Sequence, residues 1–452
     1  YLIDGGIHFV MGHKPGTGLY DLYRELGIVP GCRFVDLPGY GRFIHEESGR
    51  SVLLGDDLDQ WSATLKDLSP TDARIVDDFI AGGRLMQGID MSEVGMSKPP
   101  ELTGAMDQVK DLWAMRRLLR FMVGKYSKKV ADYTQDVQDP VLRICINNLF
   151  LPQVPLYFVL MIVALVADKQ LGLIQDGSSA FVGAMEERYH ALGGEISYRS
   201  TVEEILVEED RATGVRLKDG SEHGADAVIS AADGHSTIFG MLGGRYVDAK
   251  IEKRYATWKT FAPLFMISYG TAQEFPGLPP FATVFLEKPL AAGPAQVSSM
   301  MIRYFNYGPR FAPQGKTVVQ VEFETEWEYW SDLQKEDRAA YDAEKERIAQ
   351  EVLARLEAHH SGISSAVEVI DVATPYTTWR YTLNRRGSWG GWLMTSEAMT
   401  SAIERTLPGL SGFCMAGQWV MPGGGVPACL YSGRHAVQLL CHKDGKPFFH
   451  DI

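Results

Sequence analysis

The chain has 452 residues, enough for two or three domains, and 45% of them are hydrophobic, which is typical of a packed globular protein. A formal net charge of −13 without any basic run argues against a nucleic-acid partner. The five cysteines form no C-x-x-C pair and no His/Cys cluster of zinc spacing, so neither a disulfide framework nor a metal site is expected. Such sparse cysteines are typical of a reducing compartment, here the cytoplasm.

The first third of the chain predicts a strand, a short helix, a hairpin and a helical block. Residues 1–10, YLIDGGIHFV, have a strand-like pattern, and TGLYDLYRELG predicts a helix that ends at Gly27. Residues 32–61 alternate apolar and polar side chains around the turn EESGR, which is typical of a hairpin. From Ser69 to about Lys169 the pattern is helical.

The most apolar stretch of this block begins at Val154. It has about a dozen uninterrupted apolar residues before Asp168, fewer than the ~20 that a membrane-spanning helix needs. A buried helix is therefore favoured, and a helix that dips into a membrane or lines a lipid channel is the alternative. The second possibility would make the protein a peripheral membrane protein.

The middle of the chain carries the clearest local pattern. SSAFVGAMEERYHALGG predicts a helix that ends at a glycine pair, and residues 195–233 then predict strands at EISYR, TVEEILVE, TGVRLK and ADAVIS, separated by turns at DRATG and KDGS. Strand patterns continue to about residue 327. An amphipathic helix follows from Ser331 to His360, with Ile348, Val352 and Leu356 at four-residue spacing, and SAVEVIDVATP predicts another strand.

Three consecutive glycines stand near the carboxyl end, in AGQWVMPGGGVPACLYSGRHA, residues 416–436. They separate the short apolar strand GFCMAG from the predicted helix ACLYSGRHAVQLL, and Pro427 lies where that helix begins. A strand, a bare loop and a helix N-terminus together can bind a negatively charged ligand or an acceptor oxygen. A simple tight turn explains the same residues equally well.

This segment, the 177–234 block and the opening YLIDGGIHFV together resemble the flavin-dependent phytoene desaturase, carotenoid isomerase and retinol saturase group. The three segments occur in the expected order, and the resemblance extends over essentially the whole chain. It implies FAD as the cofactor. In that family a strand–GxGxxG–helix unit precedes the segment like IDGGIHF, whereas this sequence starts at that segment, so we expect one βαβ opening of about 30 residues to be missing upstream.

The resemblance also implies a set of cofactor contacts. In this numbering they fall at Asp4, Gly5, Gly6, Val202, Ala231, Ala232, Gly417, Gln418, Gly424, Gly425 and Val426. Each has an alternative interpretation as a capping, turn or core residue. Gln418 stands where many flavin amine oxidases carry an acidic residue, so a ribityl contact from a carboxylate is not expected here.

The expected substrate is apolar. WRYTLNRRGSWGGW offers Trp389 and Trp392 as substrate contacts, and FVLMIVALV offers an apolar wall, because burial of ~25 cal/mol per Å² is nearly the only source of affinity for a polyene. Either tryptophan could instead be an ordinary core residue. We assign no catalytic acid or base, since a flavin reaction of this kind requires the protein mainly to position the substrate.

The sequence therefore predicts an α/β protein with flavin amine oxidase-like architecture. A Rossmann-like FAD-binding domain (residues 1–8, 175–243 and 395–445) is interleaved with an α+β substrate domain (residues 9–174 and 244–394). The expected function is an FAD-dependent oxidoreductase that desaturates, saturates or isomerises a long isoprenoid or carotenoid-like polyene, with an electron acceptor that the sequence does not identify. The alternatives are a flavin amine or amino-acid oxidase and a non-catalytic prenyl-lipid-binding escort protein of the same fold.

Overall fold

The computed structural model of the protein describes residues 1–90, 96, 98–104, 106 and 118–449. The strands of this part of the chain are β1 (Val10–Met11), β2 (Phe34–Asp36), β3 (Gly41–His45), β4 (Arg50–Leu54), β5 (Leu171–Ile174), β6 (Val202–Glu208), β7 (Arg211–Leu217), β8 (Glu222–Gly224), β9 (Val228–Ser230), β10 (Leu264–Thr271), β11 (Phe281–Ala292), β12 (Ala295–Tyr304), β13 (Thr317–Glu324), β14 (Val367–Ala373) and β15 (Phe413–Met415).

Helices occupy much of the remainder. The α-helices of the described residues are α1 (Gly18–Glu25), α2 (Ile28–Gly31), α3 (Leu58–Leu68), α4 (Ala73–Met86), α5 (Leu119–Met122), α6 (Val130–Tyr133), α7 (Pro140–Asn147), α8 (Leu156–Ala167), α9 (Ser178–Ala191), α10 (Ala249–Thr257), α11 (Trp327–Glu336), α12 (Arg338–His359), α13 (Ile363–Ala366), α14 (Pro375–Thr382), α15 (Ser396–Thr400) and α16 (Gly425–Lys443). Ser236–Met241 forms a π-helix.

A seven-stranded sheet in the order β14-β10-β13-β12-β11-β3-β4 is the largest element of the fold. Its neighbours are antiparallel except for β3 and β11, which run parallel. Both faces of β13 are covered, and Thr317–Phe323 is buried throughout. Helix α12 packs on the sheet through Ile348, Val352 and Leu356, as their spacing predicts.

The predicted helix 331–360 is wrong in its boundary and continuity. The backbone is extended at Asp337 (φ −145°, ψ 90°), which ends α11 and starts α12. The Asp337 side chain accepts a hydrogen bond from the Ala340 N–H at 2.9 Å and so caps α12. The apolar periodicity did not reveal this break, because Asp337 stands in a charged run and its capping role leaves the spacing of the apolar residues unchanged.

A helical layer built from α3, α4, α7 and α8 packs against the β4 side of the sheet. The apolar stretch forms α8, whose side chains are mostly buried, among them Val159, Leu160 and Val163. This confirms the prediction of a buried helix for that face, whereas Phe158, Met161 and Leu165 are only partly buried. No helix in the part of the chain that the structure describes has both the length and the apolarity to cross a bilayer. The predicted helical block also includes residues 91–95, 97, 105 and 107–117, which lie outside the described residues.

A third region surrounds the predicted cofactor segments. It contains the antiparallel sheet β6–β7–β8, the parallel pair β9 and β15, and helices α9 and α16. The KDGS turn connects β7 to β8 as predicted, whereas the turn between β6 and β7 lies at Glu209 and Asp210, because the remaining residues of DRATG belong to β7. Two strand predictions are wrong: EISYR forms no strand, and in the opening segment only Val10–Met11 is a strand, with bends at Gly6 and His8 before it. Side chains of residues 10–32 share a core with α9 and α16, although the sequence pattern grouped residues 9–174 with the substrate domain.

Candidate functional site

The carboxyl ends of two parallel strands bring Ala231 and Gly417 together. β15 pairs with β9 in parallel, and the Ala416 N–H continues the pairing by donating to the Ser230 carbonyl at 2.9 Å. A Cβ on Gly417 would lie 3.5 Å from the Ala231 carbonyl oxygen. Ligands of open α/β sheets bind at this edge, where the strands end and the following helices begin. Ala231 and Ala232 are both exposed there.

The glycine run adopts a backbone that other residues rarely tolerate. Gly423, Gly424 and Gly425 have φ values of 104°, 56° and 73°. Gly424 is the N-cap of α16, and no side chain caps this helix. A Cβ on Gly424 would meet no heavy atom closer than the Gly390 Cα at 3.4 Å, and one on Gly425 none closer than 4.0 Å. Backbone conformation thus requires the glycines, and the space before the first turn of α16 stays open.

A second glycine-containing loop lies against the first. A Cβ on Gly391 would come within 2.3 Å of the Gln418 carbonyl oxygen, so the two backbones touch without intervening side chains. The Gly417 N–H donates to the Ser432 hydroxyl at 2.6 Å, which ties the end of β15 to the second turn of α16. Gln418, Gly424 and the 390–391 backbone therefore line one small region.

Polar side chains that the sequence analysis did not identify bind the chain that leads into the 390–391 loop. The buried Asp233 carboxylate accepts from the Ser236 and Arg385 backbone N–H groups, each at 2.8 Å. The Trp419 indole N–H donates to the Asn384 amide oxygen at 2.9 Å. Asp233 follows directly after the small pair Ala231-Ala232, which is the only local signal that could have identified it.

The opening segment contacts the amino end of α9. The buried Asp4 carboxylate accepts from the Gly6 N–H at 2.9 Å and from the Ser178 N–H at 2.7 Å. The Ser178 hydroxyl in turn accepts from the Ile7 N–H at 2.7 Å. Asp4 therefore has the capping role that was its alternative interpretation. Ile7 packs in the same apolar cluster as Val426, which links this segment to the first turn of α16.

A buried charged cluster holds the same segment from the sheet side. Arg303 on β12 donates to the carbonyl oxygens of Asp4 at 3.4 Å and Ile7 at 3.3 Å, and it pairs with Glu322 on β13 at 3.3 Å. The His8 Nε2 atom lies 2.9 Å from the other Glu322 oxygen. Burial on its own would raise the pKa of the Glu322 carboxyl, but His8 and Arg303 outweigh it and lower the pKa to about 2.

Three of the predicted site residues lie away from this region or are oriented differently. Val202 begins β6 and pairs with Leu217 in the separate three-stranded sheet. Trp392 is buried, with its ring edge-to-face against Tyr255 and Trp419, so it is a core residue of the aromatic cluster and not an exposed substrate contact. Trp389 is 40% exposed and packs on Phe261. The two tryptophans therefore do not form one surface.

A family model for flavin-containing amine oxidoreductases matches residues 2–441. The chain belongs to this family. Its fold is that of flavin amine oxidases: cyclohexylamine oxidase from Brevibacterium oxydans aligns with a TM-score of 0.52 at 12% identity, over 95% of this chain and 87% of that one. An oxidoreductase from Methanosarcina mazei aligns with a TM-score of 0.56 at 15% identity, over 96% and 88%. Membership of the family implies a flavin cofactor.

The alignments with curated relatives cover only part of each protein. The chloroplastic prolycopene isomerase of Arabidopsis thaliana is 27% identical over 53% of this chain and 40% of its own length. A neurosporene-forming phytoene desaturase of Rhodobacter capsulatus is 26% identical over 58% of this chain and 52% of its own. The chain thus spans about two fifths to one half of these relatives. Homology to carotenoid isomerases and desaturases is present, as the sequence motifs indicated.

The residues present fit part of a flavin site. The open space before α16, the uncapped N–H groups of its first turn and the bare strand ends at Ala231 and Gly417 suit a phosphate or an oxygen-rich ring edge. Bound there, a flavin would supply hydride chemistry, while the chain's own groups would bind, orient and exclude water. The individual cofactor contacts that the resemblance implies, including Val202, stay predictions.

Substitution of Gly424 by alanine tests the glycine run. We expect Gly424→Ala to lower the free energy of unfolding by about 1–3 kcal/mol, because its backbone (φ 56°, ψ −160°) is strained for any residue with a Cβ. Gly433, inside the same helix with open space at its Cβ position, is the matched control. Urea denaturation should show Gly433→Ala unchanged or stabilised by up to about 1 kcal/mol. Equal losses for both variants would contradict the conformational explanation.

The contribution of the buried Glu322 cluster to the free energy of unfolding should depend on pH. The pKa of Glu322 is lower in the folded chain, about 2, than its ordinary value of 4.5, so its ionised form stabilises the fold above pH 4.5 and this contribution is lost as the pH falls towards 2. We expect the stability gap between the wild type and Glu322→Gln to be widest near neutral pH and to close over that window. Urea denaturation from pH 7 to 2.5 measures it, with the exposed Glu287→Gln as the control. A gap independent of pH would contradict the assignment.

Proposed function

We propose that the protein is an FAD-dependent oxidoreductase that acts on a long apolar isoprenoid or carotenoid-like polyene, by desaturation, saturation or cis/trans isomerisation. The family supplies the flavin, and the homology to prolycopene isomerase and phytoene desaturase supports the substrate class. The structural observation that carries the proposal is an apolar stripe on α8 beside the opening segment.

The stripe consists of Phe158, Met161 and Leu165, which lie three and four residues apart and so share one face of α8. Unlike the buried face of the helix, these side chains are only partly buried. Phe9 and Phe281 pack in the same cluster. Phe9 lies three positions after Asp4–Gly6, the segment that the resemblance puts next to the flavin, so the stripe can hold an extended apolar chain against the cofactor.

The stripe offers contact area but few polar groups. For a polyene, burial of apolar surface at ~25 cal/mol per Å² is almost the whole source of affinity. An amine substrate would instead need a polar or aromatic-caged recess for its nitrogen. The apolar character of the stripe therefore favours a hydrocarbon substrate over an amine, although the family name includes amine oxidoreductases.

Anaerobic titration of the flavin-loaded protein with acyclic C20 to C40 polyenes tests the proposal. We expect at least one polyene to change the flavin absorbance or its own chromophore, because hydride exchange or isomerisation alters one of the two spectra. Putrescine and cyclohexylamine serve as amine controls and should leave the flavin oxidised. Flavin reduction by amines alone would favour an amine oxidase, and a protein that binds prenyl chains without retaining flavin would favour a lipid-binding escort protein.

A matched pair of variants tests the location of the substrate. Met161→Gln puts an amide into the stripe and should raise the KM for the polyene by roughly fivefold to tenfold, equivalent to about 1–1.4 kcal/mol of lost apolar contact. Leu53→Gln, an exposed position on β4, should leave KM unchanged. Equal effects of the two substitutions would contradict the stripe as the substrate surface.

A further inference from the structure

His8 connects the two halves of the proposed site. It lies two positions after Asp4–Gly6, the segment that the family resemblance puts beside the flavin, and its ring stacks on Phe281 with centroids 6.4 Å apart. Phe281 belongs to the same apolar cluster as the α8 stripe. An imidazole therefore stands at the point where a hydrocarbon lying on the stripe would approach the cofactor segment.

We propose that the His8 imidazole exchanges a proton with the substrate carbon chain during the reaction, and that Glu322 is the residue that positions it. This inference rests on the proposed function and names a proton-handling group for it. His8 was not among the residues that the sequence motifs implied, because its carboxylate partner lies 314 positions away in the chain.

The hydrogen bonds of the cluster determine how the imidazole is oriented. Because Glu322 lies 2.9 Å from Nε2, the neutral ring donates its proton there, and Nδ1 becomes the acceptor nitrogen. Among the described residues, no hydrogen bond to Nδ1 is present. A buried carboxylate that orients an imidazole in this way is the arrangement that general bases use in nucleophilic and acid–base catalysis.

Charge balance alone does not require His8. Glu322 already has a counter-ion in Arg303, and both side chains are almost completely buried, at 1% and 2% exposure. Gln320 completes the cluster by accepting from Arg303 at 2.9 Å and donating to the Ser268 hydroxyl at 2.9 Å. The His8 side chain is 30% exposed. Arg303 and Glu322 are thus sealed from solvent, whereas the imidazole that contacts Glu322 is partly exposed.

The proposed proton transfer accounts for all atoms and electrons. In desaturation, two neighbouring carbons each lose a hydrogen and gain a C=C bond: a bound oxidised flavin would take one as a hydride, and the other would leave as a proton to Nδ1 of His8. The electron pair of the second C–H bond becomes the new π bond. Saturation runs the same exchange in reverse, with His8 as the proton donor.

Few other charges face the imidazole. Glu322 on β13 is the direct partner, and Arg303 on β12 lies behind it. On the segment of His8 itself, the Asp4 carboxylate is turned away toward the amino end of α9. Phe281 on β11 and Met266 on β10, which is close to Gly5, add apolar surface. Glu322 is therefore the charged group that the His8 ring contacts directly.

The first test needs no substrate. The full-length protein, loaded with FAD and labelled with ¹³C-histidine, is observed by NMR at one fixed pH before and after anaerobic photoreduction, with His8→Gln used to assign the resonance. Because reduction adds negative charge to the flavin, we expect the imidazole resonance of His8 to shift. His359, which pairs with Glu46 at 3.0 Å, is the matched internal control, and its resonance should not move. A His8 resonance that is the same in both states would overturn the proposal.

The second test follows the reaction. His8→Gln keeps a donor for Glu322 but cannot take up a proton, so we expect polyene-driven flavin reduction to slow about 100-fold and to lose its dependence on pH. FAD affinity and the thermal midpoint should stay unchanged, and His359→Gln should behave as the wild type. If the wild type reacts and His8→Gln keeps its rate and pH profile, the role of His8 is overturned while the function stands. A flavin-loaded wild type inert to every polyene would instead overturn the proposed function.

Discussion

The structure of the site depends on one buried guanidinium. Arg303 binds the carbonyl oxygens of Asp4 and Ile7 and pairs with Glu322, so it fixes the opening segment on the large sheet. A guanidinium buried at this depth costs several kcal/mol of desolvation, which the carboxylate, the amide and the two carbonyls together offset. Removal of Glu322 would leave that charge unpaired. The opening segment thus has a fixed position although it belongs to no sheet.

The opening segment, fixed in this way, contacts the other parts of the proposed site. Asp4 caps α9, Ile7 packs in a cluster with Val426, and Val426 lies in the first turn of α16. The glycines before α16 have positive φ values and leave open space in front of its N–H groups. On the other side, His8 stacks on Phe281 and so reaches the apolar stripe. Cofactor edge and substrate surface are therefore related through a few short contacts.

The sequence predicted the elements that depend on local pattern. Turn residues predicted the β6–β7–β8 hairpins, and the length of the apolar stretch predicted the burial of α8. Glycine spacing predicted the strand–glycine–helix motif before α16. Each of these signals acts within a few positions of the chain. Elements that depend on distant partners were not predicted. His8 and Glu322, Asp233 and Arg385, and Trp392 and Trp419 meet only in the folded chain, so local sequence pattern does not predict these contacts. The break at Asp337 was hidden because a capping aspartate inside a charged run does not disturb the periodicity.

We propose that a flavin binds between the opening segment, the ends of β9 and β15, and the amino end of α16. Hydrogen–deuterium exchange of the full chain with and without FAD tests this location. We expect slower exchange in residues 4–8, 231–234 and 417–428 on FAD binding, with no change in the sheet strands β11 and β12. Protection confined to other parts of the chain, or tight FAD binding without protection at 417–428, would contradict it.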